Sequence, residues 1–394
     1  MADFFASAAA HASVLCYAAA ALGCCYALFA AGAARAFARS ARVGAPRAPD
    51  VTILKPLHGI EPELYENLAS FCDQRYAGRI QMVCGVASAT DAAIAVVEKL
   101  AAAFPAIDVK LVVDPRSHGA NRKISNLINM MPAARHDVLV ICDSDIAVGP
   151  EYLKTVATHL GEPGVGLVTC LYRGAAATGF WSRLAAAQID YHFLPSVLVG
   201  LKLGLAAPCF GSTMALRRST LAAIGGLEAV ADRLADDYAI GDLVRRQGLA
   251  VAIPPTAVTH VCAEQSARDL LHHELRWART IRSVDPAGFA GSAVTHALPF
   301  ALLGAVLGGF APANLIVLAA LLCRLALQLE IGRCFELPGG EPFWLGPLRD
   351  LVSFVVFILS FFGRSCEWRG HRYGVAADGT LAYRGEAERR GAPP

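Results

Sequence analysis

The sequence predicts an α/β domain with a mixed, mainly parallel sheet flanked by helices, carrying transmembrane helices at its N- and C-terminal ends. Three observations predict it. Hydrophobic residues make up 55% of the 394 residues and charged residues 17%, with a mean hydropathy of +0.45, a balance that points to membrane segments. Long stretches nearly free of charge lie towards both ends. Between them, short apolar β-branched runs alternate with helical patterns, which implies parallel βαβ units.

The first stretch, His11 to Ala34, is long enough to cross a hydrocarbon core as a helix, which needs about 20 apolar residues. Arg35, Arg39, Arg42 and Arg47 come after it, while the segment before it (MADFFASAAAH) has no Lys or Arg. That asymmetry favours an uncleaved anchor over a signal peptide and keeps the chain beyond Arg35 in the cytoplasm. The expected organisation is an anchor over 1–34, a basic linker over 35–49, an α/β domain over 50–290, membrane segments over 291–364 and a basic tail over 365–394.

Within the domain, VTILKPL reads as a strand ending at a proline, ELYENLASFCDQ as a helix and IQMVCGVAS as a buried strand. DAAIAVVEKLAAAFP is a helix stopped by Pro105, VKLVVD a strand, NRKISNLINMM a helix, and DVLVICDSD an apolar strand that ends in acids. Ligands of such sheets bind beyond the carboxyl ends of the strands. Ile189 to Leu205 is apolar enough to lie at a membrane surface; a core helix is the plainer alternative. Ala297 to Cys323 carries no charge and is interrupted by Gly308, Gly309, Pro312 and Asn314, so it fits one tilted span or a hairpin. Leu351 to Gly363 is short for a span unless Trp344 to Leu348 extend it. Arg364, Arg369, Arg372, Arg384, Arg389 and Arg390 assign the tail to the cytoplasm.

A net charge of +2 without a Lys/Arg block offers no nucleic-acid surface. The 12 cysteines form no paired CxxC spacing, which speaks for neither a disulfide framework nor a zinc site.

Three motifs can carry chemistry. In DVLVICDSDIAVG, Asp143 and Asp145 sit two apart where a strand opens into a loop, and two carboxylates there can hold a divalent cation against a diphosphate. Acids at strand ends also cap turns, and this motif alone does not separate the two. In LADDYAIGDLVRRQG a helix starts near the acids and stops at Gly248. Asp236 suits an N-cap and Asp237 a general base. In HELRWARTIR, Arg276 and Trp277 suit either an interfacial helix or a guanidinium fork on a diphosphate. His260, after a strand, reads as a core or loop histidine and is kept outside the site. Cys209 reads equally as a buried thiol or an acceptor-side residue.

Taken in order, Lys55, Asp91, the DxD, the acidic pair and the RW motif resemble family 2-like, inverting GT-A glycosyltransferases, specifically the ceramide glucosyltransferase group (family 21) with its D, D, D, (Q/R)xxRW signature. The likeness runs from LKPLHGIEPELYENL through ICDSDI, CFGSTMALRR and LADDYAIG to HELRW. HGANRKISNLINM, IDYHFLPSVLVGL and RWARTIRSVDPAG resemble further the bacterial hopanoid-biosynthesis branch, which adds N-acetylglucosamine to bacteriohopanetetrol. The resemblance implies that Lys55 and Asp91 contact the nucleotide and that Asp143 and Asp145 bind the UDP diphosphate through Mg²⁺ or Mn²⁺. It also implies Asp237 as base, Arg276 and Trp277 on the diphosphate and acceptor end, and Cys209 and Asp236 towards the acceptor. His273 stands where the signature has Gln or Arg and can still donate to phosphate. The partners implied are a UDP-sugar, a lipid acceptor (hopanoid or ceramide) and the bilayer, on the cytoplasmic face of a bacterial inner membrane. A processive polysaccharide synthase would need more spans, a non-catalytic sugar-nucleotide binder would need no base, and a transporter would need buried charges along a path.

Overall fold

The computed structural model describes residues 1–40, 47–308, 310–337, 344–362, 365–368, 371–375 and 381–383. Of the residues that bear on topology, Arg42, Gly309, Arg364, Arg369, Arg384, Arg389 and Arg390 lie outside the described residues. The chain divides into two compact units that interleave along the sequence: 1–40, 178–206 and 264–363 form one, and 41–177, 207–263 and 364–394 the other. The segments 178–206 and 264–290, expected inside the α/β domain, thus group with the apolar helices.

The α/β unit is built on β1 (Val51–Pro56), β2 (Ile80–Val86), β3 (Asp108–Val113), β4 (Val138–Ile141), β5 (Ile146–Ala147), β6 (Val165–Val168), β7 (Leu171–Ala176), β8 (Met214–Arg217), β9 (Ala250–Ala252) and β10 (Ala257–Cys262). Seven of these form one sheet in the order β3-β2-β1-β4-β8-β6-β9, and β5, β10 and β7 form a second. β1, β2, β3 and β4 run parallel, whereas β8 runs antiparallel to both β4 and β6. The strands at the centre are buried on both faces, which is why they read as continuous apolar runs. Their period of two deals alternate residues to two cores. Val51, Ile53, Val138 and Val140 pack on one face; Leu54, Leu139 and Ile141 pack on the other, against the helices Arg122–Met130 and Asp236–Arg246. Segments Ser365–Trp368, His371–Val375 and Leu381–Tyr383 form a small antiparallel sheet within the expected tail.

Among the described residues of the apolar unit, three helices are long and apolar enough to cross a membrane: Ser7–Ala38, Phe180–Lys202 and Asn314–Phe335. A bent pair, Pro286–Thr295 with Ala297–Gly308 at 65°, makes a fourth if it is one broken span. The first belongs to a helix over Ala2–Ala38, which packs against Ala297–Gly308 through small residues. A Cβ on Gly304 would stand 2.5 Å from Tyr17, and one on Gly308 would stand 2.2 Å from Ser13 Oγ. Ser13 Oγ donates instead to the Gly304 carbonyl at 2.9 Å.

The charge-free run to Cys323 does not end its helix there. Phe310–Phe335 continues through Arg324, Glu330 and Arg333, because these charges find partners. Arg35 grips Glu330 with two hydrogen bonds of 2.8 and 2.7 Å. Arg324 pairs with Asp350 and donates to the Tyr191 carbonyl at 2.7 Å. Tyr191 lies in a π-helical turn, Ile189–Phe193, and such widened turns present carbonyls that an ordinary helix keeps to itself.

The last helix, Leu345–Ser360, carries the largest fully buried side chain of the described residues, Arg349. Its guanidinium holds Glu274 bidentately at 2.6 and 2.7 Å and donates to Leu184 O at 3.1 Å and Ser353 Oγ at 3.0 Å. Removing one partner from a buried pair strands the other, which costs about 3–5 kcal/mol, while replacing both with apolar groups is close to neutral. Arg349→Met should therefore lower Tm in detergent sharply, and Arg349→Met with Glu274→Leu should recover most of that loss.

Candidate functional site

The site of the α/β unit forms where β4 ends. β8, antiparallel to β4, begins where β4 leaves off, so the segment entering β8 faces the DxD. Asp143 N–H donates to Gly211 O at 3.1 Å, and Gly211 N–H donates to Asp237 Oδ2 at 2.8 Å. Gly211 thus bridges the strand-end acids and the helix Asp236–Arg246. Between Asp143 and Asp145 in the turn, Ser144 donates its hydroxyl to Glu61 at 2.6 Å.

These acids share one cation, Lys123. Its Nζ stands 2.7 Å from Asp143 Oδ1 and 3.2 Å from Asp236 Oδ2. Burial opposes the ammonium, but Asp143, Asp236 and Asp237 together hold its pKa well above the usual value. Asn121 caps the helix carrying Lys123, accepting from Ile124 N–H at 3.1 Å, and donates through Nδ2 to Asp236 Oδ1 at 3.2 Å. Asp236 is therefore no N-cap: Ala235 holds that position, and the Asp236 carboxylate is turned inward to Lys123 and Asn121.

Asp237 receives two backbone N–H bonds, from Gly211 and from Tyr238 at 2.8 Å. Burial and the Asp236 carboxylate still push its pKa up to about 6, against Lys123 and those two bonds. Burial, with Asp145 and Asp236 adding to it, raises Asp143 as well, and Lys123 works against them. Tyr172, on β7, feels the same field: burial and then Asp237, Asp145 and Asp143 hold its phenol protonated well above its ordinary range. Lys123 and Tyr172 were not singled out in the sequence. An Asn cap followed by a lysine, in a helix entered from the strand-end side of a parallel sheet, is the signal that marks the first.

Asp145 has a different neighbour. His260 Nδ1, on β10, lies 3.5 Å from Asp145 Oδ1, so the histidine left out of the site belongs beside it. Its position follows from the second sheet, where β10 pairs with β5 immediately after the DxD and His260 lies opposite Ile146. The donor set suits a hard divalent cation: Asp145 keeps 35% of its side chain exposed, while Asp143 already has a counter-charge. Among the described residues no three ligating side chains converge, so such an ion would complete its shell from diphosphate oxygens and water.

Other expected residues fall elsewhere. Lys55 is fully buried. Its Nζ donates to the Asp143 carbonyl at 2.8 Å and sits 3.6 Å over the Phe71 ring. It props the DxD backbone from beneath and has no exposed surface to offer a nucleotide. Both oxygens of Asp91 accept from Gly59 N–H, at 3.0 and 3.1 Å, and one also accepts from Ala93 N–H at 2.9 Å. This carboxylate ties a loop in which Gly59 has φ +68°, a left-handed conformation suited to glycine. Cys209 is buried against Gly241 of the Asp237 helix, and burial raises its thiol pKa further with Asp237 beside it. It is a packed thiol, not an open acceptor-side group.

His273, Arg276 and Trp277 lie in the other unit, on the helix Ala267–Val284. Ser266 caps that helix, accepting from Asp269 N–H at 3.2 Å. His273 Nδ1 pairs with the buried Glu264, and its ring meets Trp277 edge-on at 4.5 Å. Glu274, between them, is the residue that Arg349 grips.

The family model for glycosyl transferase family 21 matches residues 15–381, and the chain belongs to that family. Ceramide glucosyltransferase 1 of Caenorhabditis elegans is 29% identical over 223 residues, which cover 56% of this chain and 47% of that enzyme; the chain thus spans about half of its length. Ceramide glucosyltransferase 3 of the same organism is 24% identical over 344 residues, 84% of this chain and 74% of that one. Among solved structures, a mannosyltransferase from Pyrobaculum calidifontis in complex with GDP-Man and Mn²⁺ aligns with a TM-score of 0.52 at 18% identity, covering 89% of this chain and 99% of that one. At that identity the likeness speaks to the fold, which is the GT-A fold expected from the sequence.

Gly211 is the tightest point of the site. A Cβ there would stand 2.5 Å from Asp143 Oδ2 and 2.9 Å from Lys123 Nζ. Overpacking of this kind costs about 1–3 kcal/mol. Gly211→Ala is expected to lower Tm in detergent by a few degrees, with the circular dichroism spectrum at low temperature unchanged.

Proposed function

We propose that this chain is an inverting glycosyltransferase that moves a sugar from a UDP-sugar to a lipid hydroxyl at the cytoplasmic face of a bacterial inner membrane. The observation that carries the reading is the convergence of Asp143, Asp237 and Lys123 on Gly211, with Asp145 and His260 alongside, in a member of family 21. Three helices of membrane-crossing length support a lipid acceptor, and Arg35, Arg39 and Arg47 after the first of them support the cytoplasmic face.

The reaction is a single displacement. The acceptor oxygen attacks the anomeric carbon as the bond to the UDP oxygen breaks, and Asp237 takes the hydroxyl proton. The raised pKa of Asp237 improves it as a base near neutrality while leaving it ionised there. Asp145, with Asp143 two residues before it, would hold Mg²⁺ or Mn²⁺, whose charge would offset that developing on the departing diphosphate; His260 stands beside Asp145. Lys123 keeps Asp143 and Asp236 from repelling that anion. Arg276 and Trp277, with His273 bracing Trp277, are assigned to the diphosphate and the acceptor end. Asp236 acts through Lys123 on the same side as the base. Lys55 and Asp91 hold the loops on which the nucleotide rests.

For the substrates we propose N-acetylglucosamine and a polyol hopanoid such as bacteriohopanetetrol, on the motif likeness to that branch. The ceramide glucosyltransferases among the relatives favour a second reading, UDP-glucose and ceramide. Enzyme purified from a host lacking both lipids, given each acceptor with radiolabelled UDP-N-acetylglucosamine or UDP-glucose, should yield the glycosylated hopanoid by mass spectrometry. Glucosylceramide as the sole product would establish the second reading.

Asp237→Asn should lower kcat roughly a hundred- to ten-thousand-fold with UDP affinity little changed; near wild-type turnover would remove Asp237 as the base. Because the base must be ionised, kcat/KM should fall as pH drops through about 6. Lys123→Met removes a charge that lowers the Asp237 pKa, so this acid limb should move to higher pH.

A further inference from the structure

The ends of two membrane-length helices meet in a feature that the catalytic reading does not use. The last turn of Ala2–Ala38 and the last turn of Phe310–Phe335 enclose an open notch of about 430 Å³ lined by Arg35, Ala38, Arg39, Glu330, Arg333 and Cys334. Three guanidinium groups face it with one carboxylate. Glu330 is committed to Arg35 by its bidentate pair, and it approaches Arg333 only to 4.0 Å. Arg39 and Arg333 are both exposed, and three arginines against one glutamate leave the notch with two positive charges.

Cations at helix C-termini complement the helix dipole, and arginines after a span follow from the positive-inside rule. Neither accounts for three guanidinium groups gathered around one concavity. Each guanidinium offers a planar fork that matches the oxygens of a phosphodiester. Apolar helix surface runs directly away from the rim, with Leu28, Phe29 and Leu329 exposed on the same two helices. A ligand that satisfies both is anionic at one end and hydrocarbon at the other.

We propose that this notch binds the phosphodiester headgroup of an anionic phospholipid, its acyl chains lying along the two helices. The proposal rests on these helices lying in a bilayer, not on the identity of the sugar or the acceptor. Arg39 and Arg333 supply the forks, and Arg35, fixed by Glu330, shapes the floor.

The test uses the full chain in phosphatidylcholine nanodiscs with phosphatidylglycerol titrated in, and native mass spectrometry to count retained lipid. Wild type should keep one phosphatidylglycerol in a saturable step. Arg39→Gln with Arg333→Gln should weaken that step about 30-fold, from the typical contribution of a basic residue at an anionic surface. Arg39→Lys with Arg333→Lys keeps the charge and loses the fork, so it should also weaken retention; wild-type retention there would reduce the effect to diffuse surface attraction and overturn the site. Millimolar inorganic phosphate that displaces the lipid would reassign the notch to free phosphate. Both variants spare Arg35 and Glu330, and UDP affinity reports on their folding independently.

Discussion

Bringing Asp143, Asp236 and Asp237 together out of bulk water is the costly step in building this site, and Lys123 is what makes it feasible. Like charges at such range raise one another's pKa, and without a cation the cluster would shed its ionisation by taking up protons. A single ammonium between Asp143 and Asp236 offsets their charge, while Asp237, outside its ion-pair distance, is pushed up to about 6 by burial and by Asp236. The division of labour among three nearby aspartates follows from where one lysine sits.

The mixed sheet puts the lysine and the acids within reach. In a fully parallel sheet every neighbouring strand would enter at the opposite edge and only leave at the end of β4. β8 instead starts there, so its entry segment, Cys209–Thr213, lies across the mouth of the site and Gly211 can touch both Asp143 and Asp237. The glycine is required by the closeness of approach: its φ is not in the left-handed region, and what excludes a side chain is the Asp143 carboxylate, 2.5 Å from where a Cβ would stand.

Much of this was legible in the sequence. The strands β1 to β4 announced themselves as buried apolar runs, the DxD as acids at a strand end, and the Asp237 helix by its spacing and by Gly248. What stayed hidden depends on contacts distant in sequence. Lys123 looks like any basic residue of an amphipathic helix until the fold sets it beside Asp236, more than a hundred positions on. His260 looked like a core histidine because the β5–β10 pairing that carries it to Asp145 involves a strand of two residues. Lys55, placed on the nucleotide by the family resemblance, is instead solvated inside by the Asp143 carbonyl and the Phe71 ring. The segments 178–206 and 264–290 follow one another with α/β strands between them, and their company shows only in contacts distant in sequence, Arg324 with the Tyr191 carbonyl and Arg349 with Leu184 and Glu274.

The charges of the last helix also constrain how the chain is made. Leu345–Ser360 bears Arg349 and Asp350 side by side and is too short to stand in a bilayer by itself. Its charges are neutralised by Glu274 and Arg324, which are synthesised earlier and wait for it to arrive. This helix therefore closes two charge pairs at once: without it, Glu274 and Arg324 would lose the side chains that neutralise them among apolar helices.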